Sequence, residues 1–239
     1  VLLSIDEVHR EAVEDLRALG ATVQHAIREG RNVAFVGAGL PSSISNLLTD
    51  KVSTFLRRSD RRHLGKVSSN EVRQALEVPI RDAGWDVSAS ALDEAVEGTR
   101  GYPFLIQLVG LQMWRAARNT PRIESKHARQ GVEAATRKIG ELVHAPALAD
   151  LSSTDRSFLA AMSQDDDASR MGDIARRLGV NPAYAGQYRL RLIAAEMIEP
   201  VGHGLVDYTL PYLRPYLRDH VAGTAWFPRA RPGSADADA

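Results

Sequence analysis

The sequence predicts a predominantly helical chain in three parts. They are a piece of a parallel α/β core over residues 1–63, an all-α unit over 64–150, and a unit of helices followed by a hairpin over 151–222, with a disordered tail at 223–239. Three observations carry this. Two short apolar runs, Val1–Ile5 and Asn32–Gly37, flank one helix-patterned stretch and do not alternate with polar residues, as expected of strands buried on both faces of a parallel sheet. From Ser68 to Ala145 the apolar spacing is helical throughout, punctuated by Pro79, Pro103 and Pro121. After Met171, two short helical patterns precede two apolar runs that are separated by Gly202-His203-Gly204.

Composition bounds what this chain can do. At 239 residues it has room for two or three compact units. Thirty basic residues balance thirty acidic ones, so any nucleic-acid contact has to come from a local patch and not from a global field. The absence of cysteine excludes a disulfide framework and thiolate metal sites, and fits the reducing cytoplasm, which is the predicted location. No apolar run approaches the roughly 20 residues of a membrane span, and the best stretch, Phe104 to Trp114, is broken by Gln107 and Gln112. The opening residues show neither an initiator Met nor the order of charge, apolar run and small residues of a signal peptide. The seven histidines show no metal-ligand spacing, no Ser-His-Asp grouping is legible, and there is no internal repeat.

The first strand stops on Asp6-Glu7. After it, Ala12, Leu16, Leu19, Val23 and Ile27 recur at helical spacing, and Gly30 ends that helix. Adjacent carboxylates at a helix start are favoured by its dipole. The same pair can do chemistry: an acid at a strand end can hold a magnesium shell, and the next acid can polarise an attacking water. The residues beyond the helix favour the second reading, because the next strand ends in the polar loop Gly37-Ala38-Gly39-Leu40-Pro41-Ser42-Ser43. That loop is not a dinucleotide fingerprint. Ser42 stands where the third small residue belongs, and Pro41 sits where the helix should open with free amides. Ser42 and Ser43 are candidate phosphate-sensing hydroxyls or, equally, a helix cap. A helix predicted over Ser45–Phe55 leads into Arg57, Arg58, Arg61 and Arg62. This cluster is either a solvated face or the source of an arginine finger at Arg57 or Arg58, because guanidinium neutralises developing phosphoryl charge.

Gly101-Tyr102-Pro103 opens a strongly apolar helix with its proline in the first turn. Farther on, Met171–Leu178 reads as a short amphipathic helix ended by Gly179, and Asn181 caps a new helix with Pro182 at its first position. That is helix, tight turn, helix. On the second helix Tyr184, Gln187, Tyr188 and Arg191 fall within about 100° of arc, while Ala185 and Leu192 turn away. Met197–Val201 and Leu205–Leu210 form a compact hairpin, so the set predicts a winged helix whose second helix is a candidate reader of double-stranded DNA. Residues 151–222 carry eight arginines against nine acids, with Asp165-Asp166-Asp167 among them, so a winged helix that packs on protein stands beside the DNA reader.

In this order the pieces resemble the AAA+ superfamily, specifically its archaeal-type and STAND-like ATPases that end in a winged helix. Val1–Glu7 is similar to the Walker B strand, Val33–Ser43 to the sensor 1 strand and loop, Arg57-Arg58 to the arginine-finger region, and Leu64–Ala145 to the helical lid, with Gly101-Tyr102-Pro103 where those lids carry Gly-x-Pro. The resemblance implies a partial nucleotide-binding core that uses ATP and Mg2+, with Asp6 on the metal and Glu7 activating water. It further implies Arg57 or Arg58 acting in trans within a homo-oligomer, Ser42 and Ser43 sensing phosphate, and Tyr102 and Pro103 lying over the nucleotide. There are two departures. No Gly-Lys phosphate loop occurs in the 239 residues, and no sensor 2 arginine is evident near Pro103 and Phe104. The expectation is therefore the C-terminal portion of a switch-like ATPase, cut before its second nucleotide motif and inactive when isolated. Its rivals are a non-enzymatic winged-helix DNA-binding regulator, and a winged helix used as an autoinhibitory or protein-interaction module.

Overall fold

Strand β1 (Leu2–Ile5) and strand β2 (Ala34–Gly37) pair in parallel, Leu2 opposite Ala34 and Ile5 opposite Gly37, and helix α1 (Val13–Arg28) lies between them in sequence. The structure is a computed structural model that describes residues 1–6, 13–39, 44, 56–62, 64–118 and 120–221. Helix α1 has Glu14 and Asp15 in its first turn and His25 and Arg28 in its last, both matching the helix dipole. Leu16 and Val23 form its buried stripe. It ends in a paired cap: the Gly30 amide donates to Ile27 and the Arg31 amide to Ala26.

The strands are not buried on both faces as the apolar runs predict. Leu2 is 66 % exposed and Val36 56 %. Among the described residues the sheet is two-stranded, so each strand keeps one edge without a hydrogen-bonded neighbour, and apolar composition cannot supply the covering layer. The predicted helix 45–55, Glu7, and the Ser42-Ser43 loop end lie outside the described residues. So does the tail from 222 onward.

The chain divides into two compact units, Val1–Leu64 and Gly65–Ala239. The second unit opens with four helices, α2 (Ser69–Asp82), α3 (Ala89–Thr99), α4 (Pro103–Ala116) and α5 (Ser125–Ile139), around Val72, Leu92, Leu105, Val109 and Met113. Ser68 starts α2 with a reciprocal box, accepting from the Glu71 amide while the Glu71 carboxylate accepts from the Ser68 amide. This region is not all-α. Strands β3 (Asp86–Val87) and β4 (Arg122–Ile123) pair in parallel between the helices. Val87 and Ile123 are buried, so the extended links between helices would otherwise strand amides and carbonyls away from water, and pairing satisfies them. Two residues are too few to show a strand period in sequence.

Helix α5 continues through a wide π turn at Gly140–His144 into α6 (Ala145–Ala149). There follow α7 (Ser153–Met162), β5 (Ser169–Arg170), α8 (Met171–Leu178), α9 (Pro182–Ala194), β6 (Ile198–Gly202), β7 (Leu205–Tyr208) and α10 (Leu213–Val221). The three strands form an antiparallel sheet in the order β5-β7-β6. Phe158, Leu159, Ile174, Leu192, Ile198 and Val206 fill a second core. Between α8 and α9, Gly179 adopts φ +66 and the Val180 amide returns to the Ala175 carbonyl, after which Asn181 caps α9. No helix among the described residues is long and apolar enough to cross a membrane.

Candidate functional site

Parallel pairing of β1 and β2 sends both chains out at the same edge of the sheet. The Ala34 amide donates to Val1 at one end and the Ala38 amide to Ile5 at the other, so Asp6 and the start of the Gly37–Gly39 loop emerge side by side. The carboxyl ends of parallel strands are where α/β folds hold ligands. Asp6 is exposed at this edge, while Glu7, Ser42 and Ser43 fall outside the described residues. Magnesium keeps much of its water and takes one or two carboxylates together with substrate phosphates. A single exposed aspartate fits that kind of site, and no cluster of three metal-ligating side chains exists among the described residues.

Arg57 and Arg58 occupy the one-turn helix Leu56–Arg58, both exposed. Buried Leu56 anchors this turn opposite Gly20 of α1, where an added Cβ would lie 3.7 Å from the leucine. Arg62 pairs with Asp60 at 2.9 Å.

Tyr102 and Pro103 open α4, with Tyr102 as its cap residue and Pro103 in the first turn. The preceding Gly101 sits at φ +68, and a Cβ there would lie 2.5 Å from the Val67 carbonyl oxygen, so the position requires glycine. Tyr102 packs half-buried against the core of the four helices, and burial raises its pKa. Its ring therefore has a structural job, whatever else it contacts.

On α9 the structure brings together three of the four predicted residues. The hydroxyls of Tyr184 and Tyr188 are 2.8 Å apart, and the Arg191 guanidinium lies 5.3 Å from the centre of the Tyr188 ring. The bond to Tyr188 raises the Tyr184 pKa. Gln187 is exposed. Arg191 also donates to Asp155 at 2.7 Å, a carboxylate only 2 % exposed that accepts from Ser152 as well. The same pattern holds elsewhere in residues 151–221, where Arg176 pairs with Asp173, Arg177 with Asp165, Arg214 with Asp207 and Arg218 with Asp166. Arg177 holds the Asp165 carboxyl below the usual range. Two members of the acidic run, Asp165 and Asp166, are thus paired with arginines of the same region, and the candidate reader Arg191 is itself paired with Asp155.

The Walker-type ATPase of Pyrococcus abyssi superposes on 91 % of this chain and 63 % of its own, with a TM-score of 0.66 at 16 % identity. At that identity the likeness is one of fold. A variant of RuvB from Thermotoga maritima is similar over 91 % of this chain and 69 % of its own, with a TM-score of 0.50 at 18 % identity. A family model described as a domain of unknown function, DUF8462, matches residues 141–217. No curated protein matches the chain.

Sequence reasoning missed Asp155, His144 and Tyr212. The first was signalled by the capping pattern Ser152-x-x-Asp155, whereas nothing local marks the other two, whose partners are distant in sequence.

Proposed function

We propose that this chain is the carboxyl-terminal part of a nucleotide-dependent AAA+ switch ATPase of the archaeal or STAND-like kind, working in the cytoplasm. The observation that carries the reading is the parallel β1–β2 register, which delivers Asp6 and the loop after β2 to one edge of the sheet. On this reading residues 1–63 belong to the ATPase core, 64–150 form its lid and 151–222 a winged helix. Asp6 would hold Mg2+ through its water shell, where the ion would neutralise phosphate charge. Glu7 takes the proton of the attacking water, Ser42 and Ser43 sense the terminal phosphate, and Tyr102 and Pro103 are the lid's contribution to ATP binding. Arg57 or Arg58 serves a neighbouring copy in a homo-oligomer. The phosphate loop would come from elsewhere in the protein.

The test is ATP turnover by the full-length protein, compared between wild type and Glu7→Gln. A positioned general base contributes on the order of 100-fold or more, so turnover should drop by about that factor while ATP binding persists. Equal turnover in both proteins, or no ATP binding in either, would remove the Walker B assignment.

A second reading concerns the winged helix alone. The ion pairs of Arg176, Arg177 and Arg191 favour its use as a protein-interaction or autoinhibitory module over a DNA reader. A fluorescence titration with duplex DNA at 50 and 200 mM salt separates the two. A DNA reader loses affinity steeply with salt, roughly tenfold or more over that range, and an interaction module shows no saturable binding at either concentration.

A further inference from the structure

We infer that the helical unit and the terminal unit are joined by a two-point clamp, not a hinge, so that residues 65–221 move as one lever. The connection itself is helical. Ile139, Gly140, His144 and Ala145 all hold right-handed helical angles, so α5, the π turn and α6 form one uninterrupted rod. The wide turn has a local cause in Pro146, which lacks an amide to donate and whose ring would press on the Leu142 carbonyl in a regular helix. Instead the Ala145 amide reaches back five residues to Gly140, and the rod stays whole.

The first attachment lies on this turn. His144 is fully buried, and its Nε2 is 3.0 Å from the Pro211 carbonyl, ahead of α10. Since a carbonyl only accepts, Nε2 carries the proton. Its ring meets Tyr216 edge-on at 5.1 Å. Gly140 lies so close beneath the same tyrosine that an added Cβ would come within 2.9 Å of its ring. The second attachment leaves from Tyr212, next to Pro211, and lands elsewhere on the four-helix unit, at the end of α3. The Tyr212 hydroxyl donates to the Gly98 carbonyl at 2.7 Å, and the Arg100 guanidinium lies 4.2 Å from the centre of the Tyr212 ring.

Arg100 and Tyr212 both have positive φ, 49° and 63°, without being glycine. Such residues persist where their surroundings over-determine them, and here each holds the other's side chain. Tyr212 packs on the core of the four helices, and Tyr216, one turn along, on the terminal core. Segment 211–216 is thus held at two separate places on the other side, Gly98–Arg100 and Gly140–His144, which removes the rotation that a single helical link would leave free. The usual elements of a hinge, a few loop residues able to absorb large changes in φ and ψ, are missing from this connection.

The chain has no cysteine, so two nitroxide labels can be placed without background. Gln130→Cys on α5 and Glu199→Cys on β6 are both exposed. The distance between them, read by pulsed electron resonance in the whole chain, should be a single narrow peak. Tyr212→Ala should replace that peak with a broad distribution while helical content by circular dichroism is retained. If that variant does not fold, Gly140→Ala, which displaces Tyr216 and favours helix, should broaden the peak instead. A broad or two-peaked distribution in the parent chain overturns the clamp, as does a folded variant whose peak stays narrow. None of these readouts depends on nucleotide, so failure here leaves the ATPase reading standing, and the reverse.

Discussion

Asp155 and Arg191 tie α7 to α9 with one carboxylate serving two ends. The Asp155 amide donates to the Ser152 hydroxyl at the helix start, and the Asp155 side chain accepts from both that hydroxyl and the Arg191 guanidinium. Its other oxygen has no hydrogen-bond partner among the described residues. Removing Arg191 leaves a buried carboxylate short of its counter-charge. Because the arginine itself is 58 % exposed, water screens part of the loss, and Arg191→Ala should cost about 1–2 kcal/mol in urea denaturation. A test of DNA binding that rests on that variant alone would therefore confuse stability with contact, and exposed Gln187→Ala is the cleaner partner. His144 gives a second residue-scale outcome. Burial holds its pKa below the ordinary 6.5, so the folded chain keeps the ring neutral while the unfolded chain protonates it. Its contribution to stability is complete above pH 6.5 and is lost as the pH falls through the lower value of the folded chain. The Tyr216 ring faces it, with His220 stacked on that tyrosine at 3.9 Å. Urea midpoints measured from pH 7 to pH 5 should fall in the parent chain and stay flatter in His144→Gln. Glu71 and Glu141, whose pKa values lie below 4.5, lose their contributions only at lower pH and do not overlap this window.

Local chemistry decided which elements could be seen in the sequence. The α8–α9 turn was legible because each of its signals acts within a few residues: Gly179 takes the left-handed conformation, Asn181 accepts the Tyr184 amide at 2.8 Å, and Pro182 fits the first turn. Asn181→Ala should lower the thermal midpoint by the equivalent of about 1 kcal/mol, and Gly179→Ala by a similar amount. An unchanged midpoint in both would mean that the turn is held by its flanking helices instead. The edge formed by Asp6 and the Gly37 loop was legible for a related reason, since apolar runs and the break after them are local. Strands β3, β4 and β5 were not, being two residues each and defined wholly by partners elsewhere in the chain. Strand burial was misread because a run of Val, Leu and Ile records what a strand can bury and carries no information about what covers it. The long-range arginine–aspartate pairs escaped for the same reason. Arg191 and Asp155 are 36 residues apart, and counting eight arginines against nine acids cannot reveal that several cancel in pairs.

The two units differ in how much they bury. Among the described residues of 1–64 the sheet has two strands with exposed apolar side chains, whereas residues 65–221 hold two filled cores with Met113, Phe158, Ile174 and Leu217 inaccessible to water. Stability from apolar burial grows with the area removed from water, so the second unit should carry nearly all of the chain's cooperative unfolding. Calorimetry of residues 65–221 expressed alone should reproduce the main transition of the full chain at the same temperature. The shape of that transition also bears on the clamp. Two cores that open independently would give two heat-absorption peaks or a van't Hoff enthalpy well below the calorimetric one, while cores locked at Tyr212 and Tyr216 should give a single transition with the two enthalpies equal. Tyr212→Ala should split it, with the peak of lower midpoint belonging to whichever core depends more on the lock. A fragment that fails to fold would mean that residues 1–64 contribute contacts essential to the rest, and the independent stability of residues 65–221 would be wrong.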